Sequence, residues 1–249
     1  MSRVTLASDA GMYRYLAGEL SVRRARKQSG ISSNGGWDHG FVMLGQICPQ
    51  STMKTIAKDF DNLMSADGAW IRRGKGNRVF LDHGVEVSRM LTNTAERMPS
   101  VLSLVSDALR ASVNEYFGCP AEFTEVSAWR NWHVPDELTS LDLLSDHWHQ
   151  DSHRSDIVKV FVALSDITDD DGPFHFIDRK ASRRAIQSGY RYSVADATAL
   201  EVEPGEVKRL IGPAGTAAIV NTIHCLHRAG LPAKGRQRDI IELRFKAVH

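Results

Sequence analysis

From Ala121 onward the chain breaks into short β-prone runs bounded by Gly, Pro or Asp. They are Phe123–Trp132, Asp156–Leu164, Phe174–Ile177, Glu206–Ile211, Thr216–Val220, His224–His227 and Asp239–Ala247. Strands of this number and spacing predict a β-sandwich or jelly roll. A single helix interrupts the series between Lys180 and Ser188, where Ala181–Ile186 has helical propensity.

The first half reads differently. Tyr13 to Lys27 predicts a basic helix, and the Gly- and Ser-rich stretch from Ser29 to Gly36 ends it, as a solvated loop or as a mobile lid over a site. A better helix opens at Pro49 and Ser51, carries Met53, Ile56, Phe60, Leu63 and Met64 as an apolar stripe, and ends near Gly68. A second helical region is expected over Val85–Met98. A third begins after Pro99, buries Val101, Leu104, Val105, Leu109, Val113 and Phe117, and stops at Gly118. The whole, 1–249, reads as one domain in which a mostly helical part, 1–120, packs on a jelly-roll core, 121–249.

Charge excludes some partners. Lys and Arg number 31 against 30 Asp and Glu, and a net charge of +1 gives no field to attract nucleic acid or an anionic membrane, so a small-molecule substrate is expected. Cys48, Cys119 and Cys225 are odd in number and widely spaced, with no CxxC pair, which fits a reducing cytoplasm. The N-terminus lacks an apolar signal core and no apolar run reaches transmembrane length.

The chemistry centres on His147-Trp148-His149-Gln150-Asp151. In an extended strand, residues two apart share a face, so His149 and Asp151 project together while Trp148 and Gln150 point the other way. An imidazole and a carboxylate side by side, completed by a distant histidine, make the 2-His-1-carboxylate donor set of non-haem iron sites. His147 and His153 share parity with this pair. Downstream, glycines mark a tight turn at 212–215, an apolar strand runs to Thr222, and the third ligand is offered by His224 or His227. The last strand then begins near Arg236 and Arg238, either of which could offer a planar fork to a carboxylate. Along it Ile241, Leu243 and Phe245 form an apolar face suited to the N-terminal helices, while Arg238, Ile240, Glu242 and Arg244 form the face that looks into the cavity.

In its second half the chain resembles the Fe(II)- and 2-oxoglutarate-dependent dioxygenases of the phytanoyl-CoA dioxygenase-like superfamily. Four parts match in order: Trp148-His149-Gln150-Asp151, Val158 to Asp166 with Gly172-Pro173-Phe174, the Gly215–Thr222 strand, and His227 followed eleven residues later by Arg238. The usual Pro-Gly-Ser-His run after the fourth strand is replaced by Ile177-Asp178-Arg179-Lys180-Ala181-Ser182.

The resemblance implies a double-stranded β-helix, a cupin-like jelly roll flanked by α-helices. It implies that His149, Asp151 and His227 bind Fe(II), and that Arg238 binds the distal carboxylate of 2-oxoglutarate. Lys159 is a further candidate contact for that co-substrate: it lies mid-strand on the face of Phe161 and Ala163, where a buried ammonium needs a partner. The implied reaction couples O2 and 2-oxoglutarate, released as succinate and CO2, to oxidation of an unactivated C–H bond of a small metabolite. Hydroxylation is the usual outcome, with desaturation or ring formation as variants. A halogenase of the superfamily replaces the carboxylate ligand by a small residue, so an intact Asp151 points away from halogenation. The competing readings are a cupin-like isomerase or Zn(II) hydrolase using the same histidines without O2, and a binding domain without chemistry.

Overall fold

A computed structural model describes residues 9–152, 154–190 and 202–248. Its helices are α1 (Asp9–Ser29), α2 (Gly36–His39), α3 (Gln50–Met64), α4 (Gly74–His83), α5 (Thr94–Arg97), α6 (Asp107–Phe117) and α7 (Arg179–Gln187). The strands are β1 (Phe41–Gln46), β2 (Trp70–Ile71), β3 (Ser88–Leu91), β4 (Ala121–Trp132), β5 (Ile157–Ala163), β6 (Phe174–Phe176), β7 (Lys208–Arg209), β8 (Thr216–Val220), β9 (His227–Ala229) and β10 (Gln237–Ala247).

Seven strands form a large antiparallel sheet in the order β1-β8-β5-β10-β4-β3-β2, and three form a smaller one, β7-β6-β9. A bridge between His149 and His227 extends the small sheet. The two sheets face each other: Phe161 of β5 stacks on Phe174 of β6 with ring centroids 4.1 Å apart. This is the jelly roll expected from the strand pattern, with helices on the outer face of the large sheet.

The period-two rule explains which residues go where. On β5, Val158, Val160 and Val162 join the core shared with the helices, while Phe161 and Ala163 join the core between the sheets. Ile241, Leu243 and Phe245 of β10 also lie in the helix-side core, and Ile240 in the inter-sheet core, as the alternation predicts. Helix α3 buries Met53, Ile56, Phe60 and Met64 against the same outer face. Helix α6 is capped by Ser106 Oγ, which accepts from Leu109 N–H at 3.2 Å, and is stopped by Gly118 at φ 69°. Helix α7 is capped by Asp178, whose carboxylate accepts from Ala181 N–H at 2.6 Å.

Several expectations are corrected. No helix spans Val85–Met98; helix α4 ends one residue before Gly84, and β3 follows, pairing with β4 and β2. Val87 and Leu91 are both buried, and residues four apart share a face in a strand as well as in a helix, so cross-strand pairing decided the matter. The helix after Pro99 is two pieces, a 3₁₀ turn over Pro99–Leu104 and then α6, because Ser106 takes extended backbone to cap the second. His224 is not in a strand: Asn221 Oδ1 accepts from the N–H groups of Ile223 and His224, making a turn from which β9 starts at His227. Of Glu206–Ile211 only Lys208–Arg209 is strand.

Strand β1 was not expected in 1–48. It pairs with β8 and carries a register break at Gly45, φ 65°, which hid its alternation. Nor does the Ser29–Gly36 stretch cover a site. Ser29 Oγ donates to Gly118 O at 2.7 Å, and the next residue, Trp37, is buried against Tyr116 and Phe117 on the helical side.

Candidate metal centre

His149, Asp151 and His227 converge between the two sheets, with one potential ligand atom from each within 4.8 Å of the others. His149 Nε2 and His227 Nε2 lie 3.9 and 3.8 Å from Asp151 Oδ1. The backbone sets this arrangement. His149 N–H donates to His227 O at 3.0 Å and His227 N–H to His149 O at 2.9 Å, while Asp151 N–H donates to Thr222 O at 2.9 Å. Trp148, pointing the other way, is fully buried among Ile177, Ala181 and Leu226 and anchors the segment from behind.

The imidazoles are oriented so that they could hold a metal. His149 Nδ1 lies 2.8 Å from His147 O and His227 Nδ1 lies 3.0 Å from Cys225 O. A carbonyl can only accept, so each Nδ1 carries the proton and each Nε2 presents its lone pair toward Asp151. Burial, reinforced by the neighbouring His149, pushes His227 down to about 3, which keeps its ring neutral and able to coordinate.

Lys159 is 8% exposed and does not reach solvent along its stem. Its Nζ lies 2.9 Å from Asp151 Oδ2 and 3.1 Å from Glu242 Oε2. Burial works against the charge, but Asp151 and Glu242 outweigh it and hold the ammonium above its ordinary range. Arg244 joins the cluster at 2.7 Å from Glu242.

Arg238 is 3% exposed, and burial brings it down to about 10, so it remains a cation at neutral pH. Its Nη1 donates to the carbonyls of Gly172 and Gly230. Those glycines are needed: a Cβ on Gly172 would lie 2.5 Å from the Leu231 carbonyl carbon, and one on Gly230 2.5 Å from Pro173 O. With its amide oxygen turned inward, Asn131 accepts from Arg238 Nη2 at 2.7 Å. Nε has no partner, and among the described residues no carboxylate pairs with the guanidinium. Asp239 next to it points out of the opposite face of β10, to Arg130 at 2.7 Å.

All five predicted site residues line one cavity of about 310 Å³, together with Trp129, Phe161, Phe174, Ile240 and the Leu143–Ser145 loop. The rejected neighbours fall elsewhere. His224 is buried 2.8 Å from Glu19 and packs edge-on against Trp37. Arg236 is half exposed beside Asp171. His147 faces Asp142 and Asp146, and His153 lies outside the described residues. On β4, Asn131 borders the pocket, whereas Arg130 turns outward to Asp239 and Asp61. Arg73 reaches the rim, while Lys75 bonds to Leu141 O at 2.6 Å. Trp129 and the Leu143–Ser145 wall were missed. Trp129 shares parity with Asn131 on β4, which was the available signal; the loop carries none.

No family profile and no curated protein sequence matches the chain. Solved structures do match it in fold. SnoN, a non-heme alpha-ketoglutarate-dependent epimerase from nogalamycin biosynthesis, is 15% identical with a TM-score of 0.55, over 93% of this chain and 83% of that one. SnoK, an alpha-ketoglutarate-dependent carbocyclase from the same biosynthesis, is 12% identical with a TM-score of 0.56, over 92% and 83%. HygX from Streptomyces hygroscopicus, solved with nickel and 2-oxoglutarate bound, is 15% identical with a TM-score of 0.51, over 84% of each chain. At these identities the likeness is one of architecture: the chain has the jelly-roll fold of Fe/2-oxoglutarate-dependent enzymes.

Proposed function

We propose that the protein is a non-haem Fe(II)- and 2-oxoglutarate-dependent oxygenase acting on a C–H bond of a small organic molecule. One observation carries the reading. One cavity holds two imidazoles and a carboxylate converging on one point, and a buried guanidinium that, among the described residues, no carboxylate neutralises.

Each half of that cavity fits its part. His149, Asp151 and His227 would hold a metal through three protein donors only, leaving room for co-substrate and oxygen that an all-protein structural site would close. Arg238 is preset by two carbonyls and Asn131, with donor capacity left for an anion, and a buried cation without a counter-ion is costly until one arrives. The structures of SnoN with Fe3+ and alpha-ketoglutarate, and of HygX with 2-oxoglutarate, carry such ligands in the same fold.

Fe(II) held there would supply, with O2 and 2-oxoglutarate, the oxidising power to remove hydrogen from an unactivated carbon, the 2-oxoglutarate leaving as succinate and CO2. The residues of this chain do the positioning. His149 and His227 present Nε2, and Asp151 supplies the anionic ligand. Lys159 holds Asp151 Oδ2, fixing which oxygen faces the imidazoles, and lies within the same cavity as any carboxylate that enters. Trp129, Phe161, Phe174 and Ile240 give apolar walls that exclude water and orient the substrate. Hydroxylation is the outcome we propose. That SnoN is an epimerase and SnoK a carbocyclase means the fold also hosts other outcomes, and substrate placement decides among them.

The test is succinate formation from 2-oxoglutarate in the presence of candidate metabolites. It is expected to require Fe(II), O2 and 2-oxoglutarate together. Full turnover with Zn(II) and no keto acid would overturn the reading.

A further inference from the structure

Just upstream of the His149–Asp151 segment a second set of donors converges. Asp142, Asp146 and His147 place one carboxylate oxygen each and one ring nitrogen within 4.8 Å of one another. Asp146 is only 1% exposed. Its Oδ1 accepts from Leu144 N–H at 3.1 Å, but its Oδ2 has no hydrogen-bond partner. Stripping a carboxylate of water is costly unless something replaces the water; burial, with the like charge of Asp142, pushes the Asp146 carboxyl up, against a smaller opposing pull from His147. Lys75, mostly exposed, reaches Asp142 at 3.7 Å, and Arg228 donates to the main-chain carbonyl of Asp146 at 3.4 Å, while among the described residues no cation pairs with the Asp146 carboxylate. The cluster therefore has two carboxylates, one imidazole and an orphaned buried oxygen, and the ammonium beside it, Lys75, reaches Asp142 and not Asp146.

We propose that Asp142, Asp146 and His147 form a second divalent-cation site, distinct from the His149–Asp151–His227 centre, for an ion of the Zn(II) class. The donor set selects the ion. Calcium and magnesium prefer all-oxygen shells, whereas one nitrogen and two carboxylate oxygens suit a four-coordinate zinc completed by water. At metal–ligand distances of about 2.1 Å, tetrahedral ligand atoms lie roughly 3.4 Å apart, so ligand atoms within 4.8 Å of one another need close by at most about 1.4 Å on binding.

The site's position gives it a task. Asp142 and Ser145 hold positive φ, 52° and 59°, so the loop between them is kept in a backbone conformation that non-glycine residues seldom adopt. That loop supplies Leu143, Leu144 and Ser145 to the cavity wall. It also ties into the first centre: Ser145 O accepts from Ala229 N–H at 2.9 Å, and His147 O fixes the ring of His149. An ion held by Asp142, Asp146 and His147 pins this wall and, through the His147 carbonyl, steadies one ligand of its neighbour.

Zinc counting on the full chain tests the proposal. The metal-free protein is equilibrated with Zn(II), excess ion is removed, and bound zinc is measured by elemental analysis. Two ions per chain are expected for the wild type, and one for Asp146→Asn, for His147→Ala and for the double variant Asp151→Ala/His227→Ala. Asp146→Asn keeps the buried shape and His147 is half buried, so if circular dichroism finds one variant unfolded, the other decides. The proposal is overturned if the Asp151→Ala/His227→Ala protein binds no zinc, or if the folded Asp146→Asn and His147→Ala proteins keep the wild-type count. A wild-type count of one that is lost in Asp146→Asn yet kept in Asp151→Ala/His227→Ala would support this site and refute the first.

Discussion

His149 and His227 face each other through two reciprocal main-chain hydrogen bonds, at 3.0 and 2.9 Å, with their rings 4.3 Å apart. Backbone pairing at the edge of the small sheet, and not side-chain packing, therefore brings the two imidazoles together. His227→Ala is expected to keep the fold and to abolish Fe(II)-dependent turnover. His224→Ala should leave iron affinity near the wild-type value, losing instead its contacts with Glu19 and Trp37 at a cost of roughly 1–3 kcal/mol in stability. Fe(II) titration and urea denaturation of the two variants separate these outcomes, and a reversal would move the metal centre to the wrong side of the Asn221 turn.

The two arginines at the start of β10 differ in the same way. A charge-assisted contact to a carboxylate in a dry pocket is worth roughly 1.5–3 kcal/mol net. Arg238→Ala is accordingly expected to raise the apparent 2-oxoglutarate requirement about tenfold to a hundredfold. Arg236→Ala, at a half-exposed side chain beside Asp171, should change it little. Co-substrate titrations of both variants check this, and equal effects would refute it.

Removing Lys159 has a consequence that depends on the metal. Lys159→Met leaves Asp151 without its 2.9 Å partner and Glu242 with Arg244 alone. Breaking a buried pair from one side costs about 3 kcal/mol, so the metal-free variant should melt well below the wild type. A divalent ion on Asp151 supplies the missing positive charge, and saturating Mn(II) is expected to close much of the gap. A gap of the same size with and without Mn(II) would place Asp151 outside the metal centre.

Acid should destabilise the protein through its buried histidines. Burial, with Arg228, Arg238 and Arg209 around it, pushes His175 from 6.5 down to about 3. A depressed folded-state value means that the unfolded chain binds the proton first, so this contribution is intact above pH 6.5 and is lost progressively as pH falls toward 3. Between pH 7 and pH 5 the loss from this one group is on the order of 2 kcal/mol. Urea midpoints at the two pH values should fall less for His175→Gln than for the wild type; equal falls would mean that His175 takes up its proton within the fold.

Most of the candidate site was legible in the sequence because it is built on strands, where a period of two sorts residues without further information. That is how Glu242 and Arg244 could be set on the cavity face of β10 and Lys159 on that of β5. What alternation could not supply is register. The contact of Lys159 with both Asp151 and Glu242 exists because Arg244 pairs with Lys159 and Glu242 with Phe161 across the β5–β10 ladder, a relation between segments some eighty positions apart. The residues alone left His224 and His227 open, and the resemblance, with its spacing to Arg238, favoured His227; the Asn221 side chain, accepting from two N–H groups, turns His224 away from the cavity. Val87 and Leu91 satisfy either period, so β3 was hidden in an apparent helix, and Gly45 concealed β1.

The central claim is that one cavity holds an iron ion and 2-oxoglutarate together, and an anaerobic titration tests it most directly. Fe(II) and 2-oxoglutarate are added to the metal-free protein without oxygen, and the visible spectrum is followed. The account predicts the weak charge-transfer band of an iron-chelated keto acid, absent with either component alone, abolished in Asp151→Ala, and shifted to higher 2-oxoglutarate concentration in Arg238→Ala. A wild-type protein that binds Fe(II) but develops no band at saturating 2-oxoglutarate would contradict it.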